Sequence, residues 1–312
     1  MSLPSGFTVR GIELTDGDGP DVDLALAVVR ADDATVLDEA DESRESVRMM
    51  LTSPDAIRSE HRLVLAPDGE AAGLLAMERE GDSDRVFFDA YALPKYKAKM
   101  LPGLIDLALE AAPRIAPGEI RSAGHAGDEL LMQALTSAGF TFRRRFWRMR
   151  ILLDGYPIDE PEAPLGVTKS VASNENDRRL LHSVHTSAFA DHFEPVTYTY
   201  ENWFAWSDGR RDARPDLRWI AWRDGEVVAE CTADDSRAEF GQSYVRTLSV
   251  LPVARGLGIA RWLLRSQFAQ AAREGRRAVM LTVDSESPTG ATRLYESVGM
   301  KPVQVIDLLV RA

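Results

Sequence analysis

An internal duplication constrains the fold of this chain more than any other feature of its sequence. Four short segments recur in the same order at a separation of 156 to 160 residues. One match has little weight, but four in order at nearly one separation indicate that a single structural unit occurs twice. The pairs are Gly6-Phe7-Thr8 with Gly166-Val167-Thr168, residues 62–70 with 218–226, Ala92-Leu93-Pro94 with Val250-Leu251-Pro252, and residues 137–140 with 297–300.

The length of the chain agrees with two copies of one unit, because 312 residues suit two domains of ordinary size. Between the copies, residues 154–164 are rich in proline and acidic side chains, a composition typical of an extended linker. We therefore predict a first domain at residues 1–153, a linker at 154–164 and a second domain at 165–312.

Composition argues against several classes of partner. The chain carries 37 Lys and Arg against 49 Asp and Glu, a net charge of −12 that disfavours a nucleic-acid-binding surface. It has no stretch of eighteen apolar residues, and its start lacks the basic and then apolar pattern of a secretory signal. A single cysteine, Cys231, cannot form an intrachain disulfide. We expect a cytoplasmic protein that binds neither nucleic acid nor membrane.

The second half of the sequence alternates between strand and helix patterns. Asp224-Gly225 between two apolar runs predicts a hairpin, and apolar residues spaced four apart from Ala260 predict an amphipathic helix that stops at Gly275. Because that helix joins two strands, the two strands are predicted to be parallel. We predict strands at 219–222, 227–231, 243–250 and 278–283, and helices at 173–189, 260–272 and 287–299, the last with Ser287 as N-cap and Pro288 in its first turn.

The turn before the helix at 260–272 carries the chemistry. Residues 255–260 read Arg-Gly-Leu-Gly-Ile-Ala. Glycines let a ligand approach the backbone closely, and the free N–H groups at a helix start attract phosphate. The segment lacks the Gly-Lys-Ser/Thr of a P-loop, and Arg261 stands where a Rossmann fingerprint has its third glycine. Taken alone, the segment also suits a plain turn from strand to helix.

The surrounding sequence resembles one superfamily. Arg255-x-x-Gly258-x-Ala260, after a Val-x-Pro strand end, resembles the pyrophosphate loop of the GNAT N-acetyltransferases. Residues 281–284 and 291–300 resemble the pattern that follows this loop in the superfamily. The tandem layout, with residues 188–193, looks like the two-domain branch that includes mycothiol synthase, although the match to that enzyme itself is looser.

The resemblance implies the fold and the cosubstrate. It implies an α/β (α+β) fold of two tandem GNAT-like domains, each a mixed, mostly antiparallel twisted sheet with helices on both faces. It also implies acetyl-CoA as cosubstrate, with no metal. The residues implied to bind coenzyme A are Leu248, Ser249, Val250, Arg255, Gly256, Leu257, Gly258, Ile259, Ala260, Arg261 and Ser287.

The resemblance also implies individual roles. Leu248, Ser249 and Val250 would pair with the pantetheine arm where the two parallel strands splay, and the Val250 N–H would polarise the thioester carbonyl. Tyr295 matches the tyrosine that protonates the leaving thiolate, although a tyrosine packed on the sheet is the alternative. Ser287 replaces the asparagine that often precedes the last helix, so its contact with pantetheine is expected to be weaker.

The first half lacks both the phosphate loop and the tyrosine. When the two halves are aligned with an offset of 158 residues, lysine, alanine, methionine and proline stand where the second half has its loop residues. With an offset of 160 residues, a leucine stands where the second half has Tyr295. Methionine blocks close approach of a ligand, and proline has no N–H to offer. We predict a degenerate first domain. The replacing residues are Lys97, Ala98, Met100, Pro102 and Leu135.

The acceptor side of the site is less defined by the sequence. An aromatic run lies where the superfamily forms its acceptor lid, although aromatics at helical spacing also suit a core. Candidates for the general base are Glu239, Glu230 and a water relay through Tyr244, which shares one strand face with Arg246 and Leu248 if alternation is regular. A zinc site at His182, His185, His192, Asp191 and Glu194 is disfavoured. The aromatic residues are Tyr198, Tyr200, Trp203, Phe204 and Trp206.

These observations predict an acetyl-CoA-dependent N-acetyltransferase. It would move an acetyl group to a small-molecule primary amine by direct attack on the thioester, with Tyr295 as general acid. One alternative is a non-catalytic acetyl-CoA-binding sensor or scaffold, which the presence of Tyr295 disfavours. Another is aminoacyl transfer from tRNA, which the negative net charge disfavours.

Overall fold

The structure is a computed structural model that describes residues 3–38, 42–81, 83–190, 193 and 198–312. The chain forms two compact units. The first comprises Met1–Arg145 and Val305–Ala312, and the second comprises Phe146–Gln304. Among the described residues, none of the helices is both long enough and apolar enough to cross a bilayer.

The first unit is built on a mixed sheet. Strands β1 to β4 pair antiparallel in sequence order, and β5 pairs parallel with β4. The strands are β1 (Thr8–Arg10), β2 (Arg62–Leu65), β3 (Ala71–Arg79), β4 (Val86–Ala92), β5 (Ile120–His125) and the start of β6 (Thr141–Leu152), and the helices are α1 (Pro20–Asp33), α2 (Arg44–Thr52), α3 (Lys97–Ile115) and α4 (Glu129–Ser137).

The second unit repeats this pattern. Strands β7 to β10 pair antiparallel in sequence order, and β11 pairs parallel with β10, as the sequence predicts. Its strands are β7 (Val167–Val171), β8 (Ala213–Arg223), β9 (Glu226–Asp234), β10 (Gln242–Val250), β11 (Ala278–Asp284) and the start of β12 (Lys301–Arg311), and its helices are α5 (Glu175–Phe189), α6 (Tyr200–Asp208), α7 (Ile259–Arg273) and α8 (Ala291–Ser297).

The order of elements confirms the duplication. Three antiparallel strands, a helix, a parallel strand, a second helix and a closing strand follow one another as β2-β3-β4-α3-β5-α4-β6 and again as β8-β9-β10-α7-β11-α8-β12. Each unit thus has the mixed, mostly antiparallel sheet and α/β class that the sequence predicts.

The boundaries of the compact units differ from those of the predicted domains. The reason is that the last strand of each half of the sequence runs from one unit into the other. Residues 146–152 of β6 pair antiparallel with β11 in the second unit. Residues 306–311 of β12 pair antiparallel with β5 in the first unit. Each unit therefore takes its closing strand from the other half of the sequence, and the first unit is completed by the end of the chain.

The proline-rich segment at 154–164 is extended but packs on the second unit. The Tyr156 ring meets the Phe268 ring of α7 edge-on, with centroids 5.8 Å apart. The indole N–H of Trp262 donates to the Pro161 carbonyl at 3.0 Å. These contacts attach the segment to helix α7, so it belongs to the structure of this unit.

Local sequence signals explain the elements next to the site. Asp224 and Gly225 have φ of 52° and 82°, the pair of left-handed residues that a two-residue hairpin between β8 and β9 requires. Helix α7 buries Leu263 and Phe268 completely against the sheet and ends before Gly275, whose φ is 74°. This packing fixes the N-terminus of α7 beside the end of β10.

A buried histidine in the first unit gives a pH-dependent stability. His61 is fully buried; its Nδ1 accepts the Met77 N–H at 3.1 Å, and its Nε2 lies 3.3 Å from the Leu51 carbonyl oxygen, so the neutral ring satisfies both partners. Burial lowers the pKa of His61 to about 4. The unfolded chain takes up this proton near pH 6.5, so the unfolding free energy is expected to fall by about 3 kcal/mol as pH drops from 6.5 to 4.

Urea unfolding across this pH range tests the effect, with His61→Gln as the comparison, because the other titrating groups are common to both proteins. The wild type is expected to lose more stability than the variant below pH 6.5. Parallel pH profiles for the two proteins would contradict the assignment to His61.

Candidate active site

A cavity of about 710 Å³ in the second unit lies between β10, β11, the start of α7 and helix α8. It brings together almost all of the predicted site residues. Leu257 does not line it, and this side chain is 41% exposed. The predicted residues that line the cavity are Leu248, Ser249, Val250, Arg255, Gly256, Gly258, Ile259, Ala260, Arg261, Ser287 and Tyr295.

One wall of the cavity is the open edge of β10. The parallel pairing of β10 with β11 stops at Tyr244 and Met280, while the other edge of β10 stays paired with β9 as far as Val250. A register shift between Val245 and Thr247 marks a β-bulge, and a bulge bends its strand. The two parallel strands therefore splay, and the main chain of β10 beyond the bulge lies along the cavity.

The structure keeps part of the predicted strand face. Regular alternation predicts Tyr244, Arg246 and Leu248 on one face of the strand, and the Arg246 guanidinium does lie over the Tyr244 ring, 4.8 Å from its centroid. Arg246 and Leu248 line the cavity, whereas the Tyr244 hydroxyl donates to Thr282 Oγ1 at 2.9 Å.

The glycine loop forms the second wall. Gly256 and Gly258 both have φ of 79°, and Gly258 is the N-cap of α7 without a side-chain cap. Gly258 contributes its carbonyl to the first helical hydrogen bond, from the Trp262 N–H at 3.0 Å. The N–H groups of the first helical turn have no partner inside the helix, so they are free to bind an anion at this end of the cavity.

Two arginines frame the glycine loop. Arg255 folds back towards β10, donating from Nε to the Val250 carbonyl at 3.2 Å. Arg261 donates to the Ser297 hydroxyl at 3.0 Å. Both side chains are exposed and line the cavity, so they add positive charge beside the helix start.

Tyr295 lines the cavity from helix α8. Its side chain is 8% exposed, and burial raises the pKa of Tyr295 well above its ordinary value of 10, with the neighbouring Cys231 and Tyr244 as lesser causes. The phenol therefore keeps its proton at neutral pH. A buried, protonated phenol facing the cavity is able to donate a proton to an anion that forms there.

The prediction that Ser287 caps the last helix is wrong. Helix α8 begins at Ala291, with Gly290 as its N-cap at φ 71°. Ser287 lies in the preceding turn, where its N–H donates to the Asp284 carbonyl at 3.1 Å and its hydroxyl pairs with Thr289 Oγ1 at 2.9 Å. This local pairing uses the hydroxyl that a cap would need, although the residue still lines the cavity.

A second cavity of about 270 Å³ adjoins the first, and both are lined by Arg246 and Thr247. Trp203 and Trp206 from α6 form part of its wall. At the boundary, Arg246 pairs with Asp234 at 2.7 Å. The volume of this cavity suits a small molecule. Strand β10 lines both this cavity and the first one.

The aromatic run divides between this cavity and the packing around it. Tyr198, Trp203 and Trp206 line the second cavity. Tyr200 stacks on Phe204, with ring centroids 5.9 Å apart, and neither lines the cavity. Some members of the aromatic run therefore line the second cavity, and others pack against each other.

The two described histidines of this region, His182 and His185, each have a protein partner. The His182 Nε2 lies 3.1 Å from the Tyr198 carbonyl oxygen, and His185 pairs with Glu230. Within the described ranges, no group of three or more His, Cys, Asp or Glu side chains is arranged to hold a metal ion. The other three members of the disfavoured zinc site lie outside the described residues, namely Asp191, His192 and Glu194.

The corresponding turn of the first unit has no loop for phosphate. Helix α3 begins three residues after Pro94, whereas α7 begins seven residues after Pro252. Lys97, which aligns with the arginine of the second loop, is 2% exposed, and its ammonium contacts the carboxylates of Asp32 and Asp128. These contacts turn Lys97 inward, away from any external ligand.

Comparison with known proteins agrees with the fold and identifies the family. Residues 179–300 match the acetyltransferase (GNAT) family. A mycothiol acetyltransferase from Thermobispora bispora is 30% identical over 249 residues, which are 76% of this chain and 79% of the relative. The chain belongs to the GNAT acetyltransferase family and is an acyltransferase.

Solved structures agree with the tandem arrangement. A GCN5-related N-acetyltransferase from Sphaerobacter thermophilus superimposes with a TM-score of 0.81 at 27% identity, covering 99% of this chain and 96% of that one. A tandem GNAT protein from the clavulanic acid biosynthesis pathway shares the fold, with a TM-score of 0.75 at 12% identity over 98% and 97% of the two chains. The prediction of a two-domain GNAT protein is confirmed.

Proposed function

We propose that the protein is an acetyl-CoA-dependent N-acetyltransferase that acts on a small-molecule primary amine. The observation that carries the proposal is the pair of adjoining cavities in the second unit. The larger is lined by an anion-binding helix start and by a buried tyrosine, and the smaller shares Arg246 and Thr247 with it. Two substrates would therefore meet at the bulge of β10.

The larger cavity suits acetyl-CoA. The N–H groups after Gly258 would bind the pyrophosphate, and the open edge of β10 would pair with the amide groups of pantetheine as a further strand does. This arrangement directs the thioester towards Val250, whose N–H would polarise the carbonyl. Tyr295 would then protonate the thiolate as the C–S bond breaks.

The smaller cavity suits the amine. Its volume of about 270 Å³ and its tryptophan walls favour a compact acceptor with an apolar part. The arginines around it are engaged with neighbouring carboxylates, Arg246 with Asp234 and Arg210 with Asp212, each at 2.7 Å. The cavity therefore offers shape and aromatic surface more than unbalanced charge.

The function is tested by release of the free coenzyme A thiol from acetyl-CoA in the presence of polyamines, amino sugars, amino acids and cysteinyl conjugates. At least one amine is expected to accelerate thiol release and to gain an acetyl group by mass spectrometry. If acetyl-CoA binds but no amine of the panel is acetylated, the non-catalytic sensor becomes the better description.

We expect one acetyl-CoA per chain, because the loop of the second unit is open while the equivalent turn of the first is the start of a helix with an inward-facing Lys97. Titration calorimetry with acetyl-CoA is expected to give a stoichiometry near one. Two equivalent sites, or binding that survives disruption of the second loop, would contradict this expectation.

A further inference from the structure

We propose that His185 is the general base of this acyl transfer and that the buried Glu230 positions its ring by accepting a hydrogen bond from Nδ1. The inference rests on the proposed function, because it supplies the proton acceptor that the attack of an amine requires. It adds a catalytic residue that no local sequence pattern indicates.

The geometry centres on one buried carboxylate. Glu230 of β9 is completely buried, and its Oε1 lies 2.8 Å from His185 Nδ1 of helix α5. The same oxygen accepts the Ser249 hydroxyl at 3.1 Å, and Oε2 accepts the Thr247 hydroxyl at 3.3 Å. A buried carboxylate is costly unless it accepts such hydrogen bonds, so these donors explain why it is tolerated here.

The carboxylate determines which ring nitrogen carries the proton. Because Glu230 accepts, Nδ1 of His185 is the donor, and Nε2 is left with its lone pair. Among the described residues Nε2 has no hydrogen-bond partner, and the ring lies beside Phe189 and Trp203 with centroids 4.6 and 6.2 Å away. His185 lines the second cavity and its side chain is 25% exposed, so Nε2 is accessible to a bound amine.

The same carboxylate places the ring close to the reaction. His185 Nδ1 and Ser249 Oγ contact one oxygen atom, so they are within about 6 Å of each other. Ser249 lines the first cavity next to Val250, where the thioester would lie. His185 therefore lines the acceptor cavity and lies close to the strand along which the acyl donor would bind.

In the proposed step, the amine nitrogen bonds to the thioester carbon, and Nε2 of His185 takes a proton from that nitrogen. The C–S bond breaks, its electron pair goes to sulfur, and the thiolate takes a proton from Tyr295. The proton on His185 then passes through solvent to the Tyr295 oxygen, which restores both residues.

The alternatives considered from the sequence have less suitable positions. Glu239 lies in the turn Ala238–Phe240 and lines neither cavity. The Tyr244 hydroxyl is used as a donor to Thr282 Oγ1, and Tyr244 lines neither cavity. Glu230 itself is sealed from both cavities, so it acts through His185 as a positioning residue.

The first test is chemical rescue. In thiol release with the best acceptor of the panel, His185→Ala is expected to lower kcat by about 10²–10³ with little change in the KM for acetyl-CoA, and added imidazole is expected to restore on the order of tenfold. The matched control is His182→Ala, one turn earlier on the same helix, whose rate imidazole is expected to leave unaltered. The inference is overturned if the wild type acetylates an amine and His185→Ala keeps the wild-type kcat. It is also overturned if the kcat of His185→Ala falls but imidazole does not restore it. Either result leaves the proposed function intact.

The second test does not depend on turnover. Two-dimensional ¹H–¹⁵N spectra of the histidine rings, with His185 assigned by its absence in His185→Gln, are expected to show the Nδ1–H tautomer in the wild type. In Glu230→Gln the amide is able to donate as well as accept, so the population is expected to shift towards Nε2–H and kcat to fall at least tenfold. An Nε2–H tautomer in the wild type overturns the inference even if an acceptor is never found, whereas the absence of any acceptor contradicts the proposed function alone.

Discussion

Replacement of Tyr295 by phenylalanine is expected to lower kcat by about 10²–10⁴, the usual contribution of a positioned acid. The reason is that the hydroxyl acts only as the C–S bond breaks, so the affinity for acetyl-CoA should change little. The ring of Tyr295 remains in place beside the core of the second unit, and the melting temperature is therefore expected to change little. Stopped-flow thiol release and calorimetry with acetyl-CoA measure the two quantities separately.

The matched control for this variant is Leu135→Phe, because Leu135 aligns with Tyr295 in the first half of the sequence. Leu135 is fully buried in helix α4 of the first unit, so the change is expected to lower stability without altering kcat. A Tyr295→Phe variant with wild-type kcat would show that another donor protonates the thiolate and that the tyrosine is a packing residue.

Replacement of Gly258 by valine is expected to weaken acetyl-CoA binding at least about tenfold, or about 1.4 kcal/mol. Gly258 has φ of 79°, and an added Cβ would meet no atom within 4 Å, so the effect comes from backbone conformation rather than from a clash. A β-branched residue disfavours this conformation by about 1–2 kcal/mol. The loop is expected to relax to negative φ, which turns its N–H groups away from the pyrophosphate.

Gly275→Val separates binding from stability. Gly275 follows the other end of the same helix, with φ of 74° and equally open surroundings. Both variants are expected to lower the melting temperature to a similar extent, but only Gly258→Val should raise the Kd for acetyl-CoA. Equal Kd values for the two variants would contradict a role of the glycine loop in binding.

Features that depend on contiguous residues are predictable from the amino-acid sequence alone. The hairpin at Asp224 and Gly225, the left-handed glycines Gly256 and Gly258, and helix α7 follow from local φ preferences and apolar periodicity. The duplication was visible because each copy retains the same order of turns and strand ends. The resemblance to GNAT acetyltransferases rested on these same local segments, and the family comparison confirmed it.

The short turn before the last helix shows where local signals conflict. Ser287 and Pro288 satisfy the sequence rule for a helix start, but in the structure the N-cap of α8 is Gly290. The serine N–H and hydroxyl are used by Asp284 and Thr289 instead. Competing partners within a few residues decided the boundary, and residue type alone does not rank such partners.

Pairings between residues that are distant in the sequence depend on the tertiary structure. In the closing strands β6 and β12, the alternation of side chains between the two faces is the same whichever unit the strand joins. Their partners are therefore fixed by the sheet edges that remain open. His185 and Glu230 are 45 residues apart on a helix and a strand, and their contact depends on how α5 packs on β9. The bulge that splays β10 from β11 is likewise a property of strand pairing, because one extra residue has no periodic signal of its own.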